Sequence, residues 1–96
     1  MEIIGEKSFA DSSIQYVFTT KNSKLKKIES RAFGNESYKT KLKYFDFENC
    51  SNLISIGSNA FRNACLDGQY YTNGDIRLPY GLVEIGEYAF NNAVYT

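Results

Sequence analysis

One arrangement of apolar, small and polar positions recurs four times along the chain. It reads Ile4-Gly5-Glu6-Lys7-Ser8-Phe9, Ile28-Glu29-Ser30-Arg31-Ala32-Phe33, Ile56-Gly57-Ser58-Asn59-Ala60-Phe61 and Ile85-Gly86-Glu87-Tyr88-Ala89-Phe90. The anchor isoleucines are 24, 28 and 29 residues apart, and Leu25, Leu53 and Leu82 each stand three positions before one. A second apolar set lies between these units: Ile14-x-x-Val17-x-Thr19, Leu42-x-x-Phe45-x-Phe47 and Ile76-x-Leu78. Its period of two predicts half-buried strands, so each repeat crosses the core twice. No segment carries a long stripe of period 3.6, which limits helix to single turns near the small residue and phenylalanine.

A single unit of this kind cannot cover its own apolar side. Stacked units place isoleucine on isoleucine and phenylalanine on phenylalanine, and the core becomes a set of continuous ladders. The expected fold is therefore a mostly β solenoid of about four repeats, with short strands and turns, forming one domain over residues 1–96. The glycines after the anchors, Gly5, Gly57 and Gly86, mark tight turns where a Cβ would intrude.

The fuller unit, L-x-x-I-G-x-x-A-F joined to I-x-L-P, resembles the BspA-like (Treponema-type) leucine-rich repeats. The run from Ile76 to Phe90 follows that family's idealised repeat closely, and Asn49-Cys50-Ser51-Asn52-Leu53 follows its phrase with a cysteine three before the leucine. The resemblance covers nearly all of residues 3–93. It implies a curved right-handed leucine-rich-repeat solenoid in a protein that acts by binding, many members being bacterial or protist cell-surface adhesins. Two positions depart from the pattern: Asn73 stands where a leucine is expected, and Thr19 replaces an apolar ladder residue.

Composition changes this picture mainly by exclusion. Eleven basic and eleven acidic residues cancel, so no overall field draws the chain to nucleic acid or an anionic membrane. There is no histidine, hence neither the commonest general base nor the commonest metal ligand. Asp67…Asn73-Gly74-Asp75 resembles a calcium loop, but Gln69, Tyr71 and the missing final glutamate break the ligand series. No nucleophile, base and orienting group assemble, so neither an enzyme nor a cofactor or metal site is expected. Cys50 and Cys65 are expected as two buried thiols, with a single bridge as the alternative. No apolar run is long enough to span a membrane, and Met1-Glu2-Ile3-Ile4 does not begin a signal peptide. A full-length chain would then be cytoplasmic, and a piece of a longer array would belong at the cell surface.

Eight tyrosines and seven phenylalanines are the unusual entry. Insertions in repeat proteins gather on one rim, often the working one. From the anchor phenylalanine to the next inward strand residue the count grows from 8 (Phe9 to Val17) to 12 (Phe33 to Phe45) and 15 (Phe61 to Ile76). The added segments carry Tyr38, Lys39 and Lys41, then Tyr70 and Tyr71, as candidate contacts; alternatively these tyrosines fold back over the solenoid edge. Strand alternation adds a second candidate, turning Tyr16, Phe18, Tyr44, Asp46 and Arg77 outward. A one-residue slip would instead bury Tyr16 and Phe18. Residues 21–43 hold eight bases and two acids, either a basic band for an acidic partner or a solvated rim. The function these features suggest is a non-enzymatic protein-binding module, in one form a small intracellular binder or inhibitor. The alternative is a structural or adhesive segment of a longer surface array. Neither end carries a polar cap, which predicts truncation or homo-oligomers formed through open ends.

Overall fold

A computed structural model of the chain describes residues 2–10, 12–20, 23–34, 40–71, 76–91 and 93–95, with Val94 and Tyr95 described by backbone only. The described strands are two residues long: β1 (Ile3–Ile4), β2 (Tyr16–Val17), β3 (Lys27–Ile28), β4 (Tyr44–Phe45), β5 (Ser55–Ile56), β6 (Leu66–Asp67), β7 (Glu84–Ile85) and β8 (Val94–Tyr95). The helical element among the described residues is one 3-10 turn, Gly68–Tyr70.

The anchors form one spine. Strands β1, β3, β5 and β7 make a parallel sheet in that order, and its register sets Ile4 against Ile28, Ile28 against Ile56 and Ile56 against Ile85. What holds each coil at the same pitch is a backbone device three residues on. Lys7, Arg31, Asn59 and Tyr88 all take positive φ, at 59°, 55°, 59° and 60°. This left-handed corner aims an N–H at the following coil: Lys7 donates to the Ser30 carbonyl, Arg31 to Ser58 and Asn59 to Glu87. Two residues later Phe9, Phe33 and Phe61 donate to the carbonyls of Ala32, Ala60 and Ala89, each at 2.8 Å. The four phenylalanine rings stack nearly parallel, with centroids 5.2, 5.3 and 5.2 Å apart. Alanine precedes phenylalanine because its position is wholly enclosed once coils stack: Ala32, Ala60 and Ala89 are all buried.

The second strand of each coil closes the core from the other side. β2 pairs with β4 in parallel, and β6 with β8. Phe33, Phe45, Phe47 and Phe61 are fully buried between these layers, meeting edge to face or tilted. Cys50 is buried and Cys65 half-buried, and both are free thiols.

Two local expectations are corrected. Ile76-x-Leu78 is not a strand. The slot beside residues 42–43 goes to β6 and the residue before it: the Cys65 and Asp67 N–H groups donate to the carbonyls of Leu42 and Lys43. Leu66 reaches that slot directly after the Phe61 corner and is fully buried, so Ile76 only packs against the core from outside. Asp46, expected outward, is buried. The chain turns after β4, and the Asp46 carboxylate accepts from the Asn49 amide at 2.8 Å while its carbonyl accepts from the Thr19 hydroxyl at 3.1 Å. Thr19 thus ties coil 1 to coil 2 where an apolar ladder residue was expected.

Candidate functional site

The two candidate surfaces read from the sequence meet. In β2 and β4, Tyr16 lies in register with Tyr44 on the side away from the core, while Val17 and Phe45 face inward. Phe18 follows on the same outer surface and is 76% exposed, so the expected register holds and the slipped one does not. The Phe18 ring lies 6.4 Å from Tyr16 and 5.5 Å from Tyr44.

The fourth ring arrives from the long connection. Asp67 caps the 3-10 turn: its carboxylate accepts from the Gln69 N–H at 3.0 Å and from the Gln69 amide at 3.1 Å. That turn carries Tyr70 back across 54 positions to Tyr16. The rings sit edge to face at 5.4 Å, with their hydroxyls 3.3 Å apart. Tyr71 closes the turn in extended backbone, which sends its side chain the other way. Its ring packs 4.8 Å from Tyr44; its hydroxyl accepts from the Phe45 N–H at 3.0 Å and donates to the Phe45 carbonyl at 3.3 Å. One tyrosine of the pair therefore completes a surface, and its neighbour satisfies a strand edge. With that edge occupied, the expected strand at Ile76 has no backbone groups of Phe45 to pair with.

Tyr16, Phe18, Tyr44 and Tyr70 line an open depression of about 300 Å³. A smaller one of about 50 Å³ adjoins it, lined by Tyr44, Phe47, Glu48, Tyr70, Tyr71 and Arg77. Burial, then the Asp46 and Glu48 carboxylates, push the Tyr44 hydroxyl above its ordinary value. Burial pushes Tyr71 up to about 12, partly offset by its hydrogen bond to Phe45. Both hydroxyls are neutral donors at physiological pH.

A family model described as a BspA-type leucine-rich-repeat region (six copies) matches residues 1–95. The chain belongs to that family. Membership suggests a protein-interaction or adhesion module. No curated protein and no solved structure matches the chain significantly.

The remaining candidate residues fall apart spatially. Arg77 is exposed beside the aromatic cluster, and Lys41 is exposed on the approach to β4. Tyr38 and Lys39 lie outside the described residues. Among the described residues the basic segment is divided: Lys27 lies in the spine sheet with Lys26 beside it, paired with Glu2 at 3.5 Å, whereas Lys41 belongs to the other layer. Among the described residues no helix is long and apolar enough to cross a membrane, and no group of acidic, cysteine or histidine side chains is placed to hold a metal ion.

A larger apolar cavity, about 550 Å³, opens at the coil 1 end against Ile4, Phe9, Ile14, Val17 and Leu25. Its walls are mainly the ladder side chains that inner coils cover with one another, so its chemistry is that of coil stacking. Sequence reasoning located the tyrosine pair and the strand aromatics separately. The signal joining them was Asp67-Gly68-Gln69, which reads as a capped turn once the calcium loop is set aside.

Proposed function

We propose that this family member is a non-enzymatic protein-binding module whose partner docks on Tyr16, Phe18, Tyr44 and Tyr70, with Arg77 at the rim. The observation that supports it is an exposed four-ring surface already fixed by ring contacts and a hydroxyl pair before any partner arrives. Tyrosine and phenylalanine anchors held in place lose little side-chain entropy on binding, and such residues dominate interface energetics. Where the docked surface is the partner's own working site, the module acts as an inhibitor. A photo-crosslinking residue at position 18 tests the surface. It should capture a partner saturably, and Tyr70→Ala should abolish the capture; equal capture from the exposed, distant position 83 would contradict the proposal.

A second reading, a segment within a longer stack of coils, is favoured by the exposed outer face of coil 4. Ile85 is 49% exposed there, although its spine equivalents are buried. The N–H groups of Tyr88 and Phe90 hold the positions that donate forward in earlier coils, and the carbonyls of Glu6 and Ser8 hold those that accept. A further coil, or coil 1 of a second copy, would continue both ladders. Light scattering should then show a mass that grows with concentration and stays monomeric in Ile85→Lys. A constant monomer mass for the unaltered chain would contradict stacking between copies.

A further inference from the structure

We propose that the depression between Tyr16, Phe18, Tyr44 and Tyr70 seats an organic cation, the methylated ammonium head of a lysine side chain on the partner. This rests on the reading of that surface as the docking site and specifies the chemistry it takes.

The first support is the composition of the wall. Four aromatic rings from three separate segments converge on one depression, and the described lining is aromatic throughout. Ring faces are the negative part of the aromatic quadrupole, and several rings around one space attract a cation together. A methylated ammonium suits such a wall because it is apolar in shape, charged, and poorly hydrated compared with a bare ammonium. Tyr70 stands edge-on to Tyr16 and Phe18 is tilted against Tyr44, while Tyr16 and Phe18 lie nearly parallel; with centroids 5.4–6.4 Å apart the four rings have not collapsed into one flat stack.

The second support is the field at the site. Two carboxylates, Asp46 and Glu48, act on the Tyr44 hydroxyl, and both raise its proton affinity. Asp46 and the neighbouring Tyr44 act in the same sense on Tyr71. Glu48 and Arg77 both line the adjoining depression. The carboxylates acting on Tyr44 thus add a negative contribution at one wall of the depression, which favours a cation there. The chain uses the same contact elsewhere: the Arg62 guanidinium lies 5.0 Å from the centre of the Tyr88 ring.

Aromatic-ring NMR titration of the 96-residue chain tests this with defined probes. Tetramethylammonium and Nε-trimethyl-lysine amide would be compared with neutral 2,2-dimethylpropanol and with acetate. The expected result is saturable shifts at Tyr16, Phe18, Tyr44 and Tyr70 but not at the fully exposed Tyr80, with the cations bound about tenfold more tightly than the neutral isostere. Phe18→Ala should weaken cation binding about tenfold, and Glu48→Gln about threefold, without changing the response to the neutral probe in the Glu48 variant. Equal response to cation and isostere, or a stronger response to acetate, overturns the proposal. If the cations fail while crosslinking from position 18 still captures a partner, the cation assignment falls and the docking surface stands. If both fail, both fall.

Discussion

The glycines that follow the anchor isoleucines make a paired prediction. A Cβ added at Gly57 would lie 2.5 Å from the Ser30 nitrogen and 2.7 Å from the Glu29 carbonyl carbon, both backbone atoms of the preceding coil. Neither can move without opening the spine sheet between β3 and β5, so the strain is not relieved by a rotamer change. At Gly5 the nearest atom is the Ser8 hydroxyl at 3.2 Å, the end of an exposed side chain. Overpacking against rigid neighbours puts Gly57→Ala at a cost on the order of 3 kcal/mol. A domain of this length changes its Tm by about 5 °C per kcal/mol, so the expected loss is about 15 °C. Gly5→Ala should change stability by no more than about 0.5 kcal/mol, or ~3 °C. Thermal unfolding followed by circular dichroism measures both. Equal shifts for the two variants, or a loss of only a few degrees for Gly57→Ala, would refute the claim that backbone-to-backbone stacking sets the coil pitch.

Other expectations follow from single contacts. Lys7 holds a left-handed corner at φ 59° with an exposed side chain, so Lys7→Gly should raise the unfolding midpoint in urea by the equivalent of about 1 kcal/mol, relief that lost backbone order only partly offsets. Tyr71→Phe removes the hydroxyl that serves both backbone groups of Phe45 and should destabilise by about 1–3 kcal/mol, whereas Tyr70→Phe, whose hydroxyl faces Tyr16 at the surface, should change stability little by the same urea titration. Because the folded Tyr71 pKa lies above its ordinary 10.0, the folded state holds the proton longer than the unfolded chain; stability should be full below pH 10 and fall as pH rises toward 12, a fall reduced in Tyr71→Phe. Cys50 is fully buried with its thiol pushed up by burial, so its alkylation by iodoacetamide should be slow and track global unfolding.

Much of the fold was legible because it is written four times. Ile4, Ile28, Ile56 and Ile85 announce one spine, and the spacing of Phe9, Phe33, Phe61 and Phe90 announces a ring stack, without knowledge of any local backbone angle. The left-handed corners were not legible, since Lys, Arg and Tyr do not advertise positive φ; they take it because the forward hydrogen bond and the neighbouring coil require it. Periodicity also misplaced the third inner strand. Ile76-x-Leu78 carries the pattern, but Leu66 follows the Phe61 corner sooner and fills the slot first. At the site, alternation placed Tyr16, Phe18 and Tyr44 correctly and failed at Asp46, where a turn ends the strand. The meeting of Tyr70 with Tyr16 depends on a three-residue helical turn inside an insertion, a feature that no repeat pattern encodes.

The joining of the rim connection to the strand face carries the proposed docking surface, and proton NMR reads it directly. Nuclear Overhauser contacts are expected between the rings of Tyr16 and Tyr70, whose centroids are 5.4 Å apart, and between Phe18 and Tyr44 at 5.5 Å. Random-coil shifts for Tyr70, with no contact to Tyr16 in a folded chain, would contradict the surface described above.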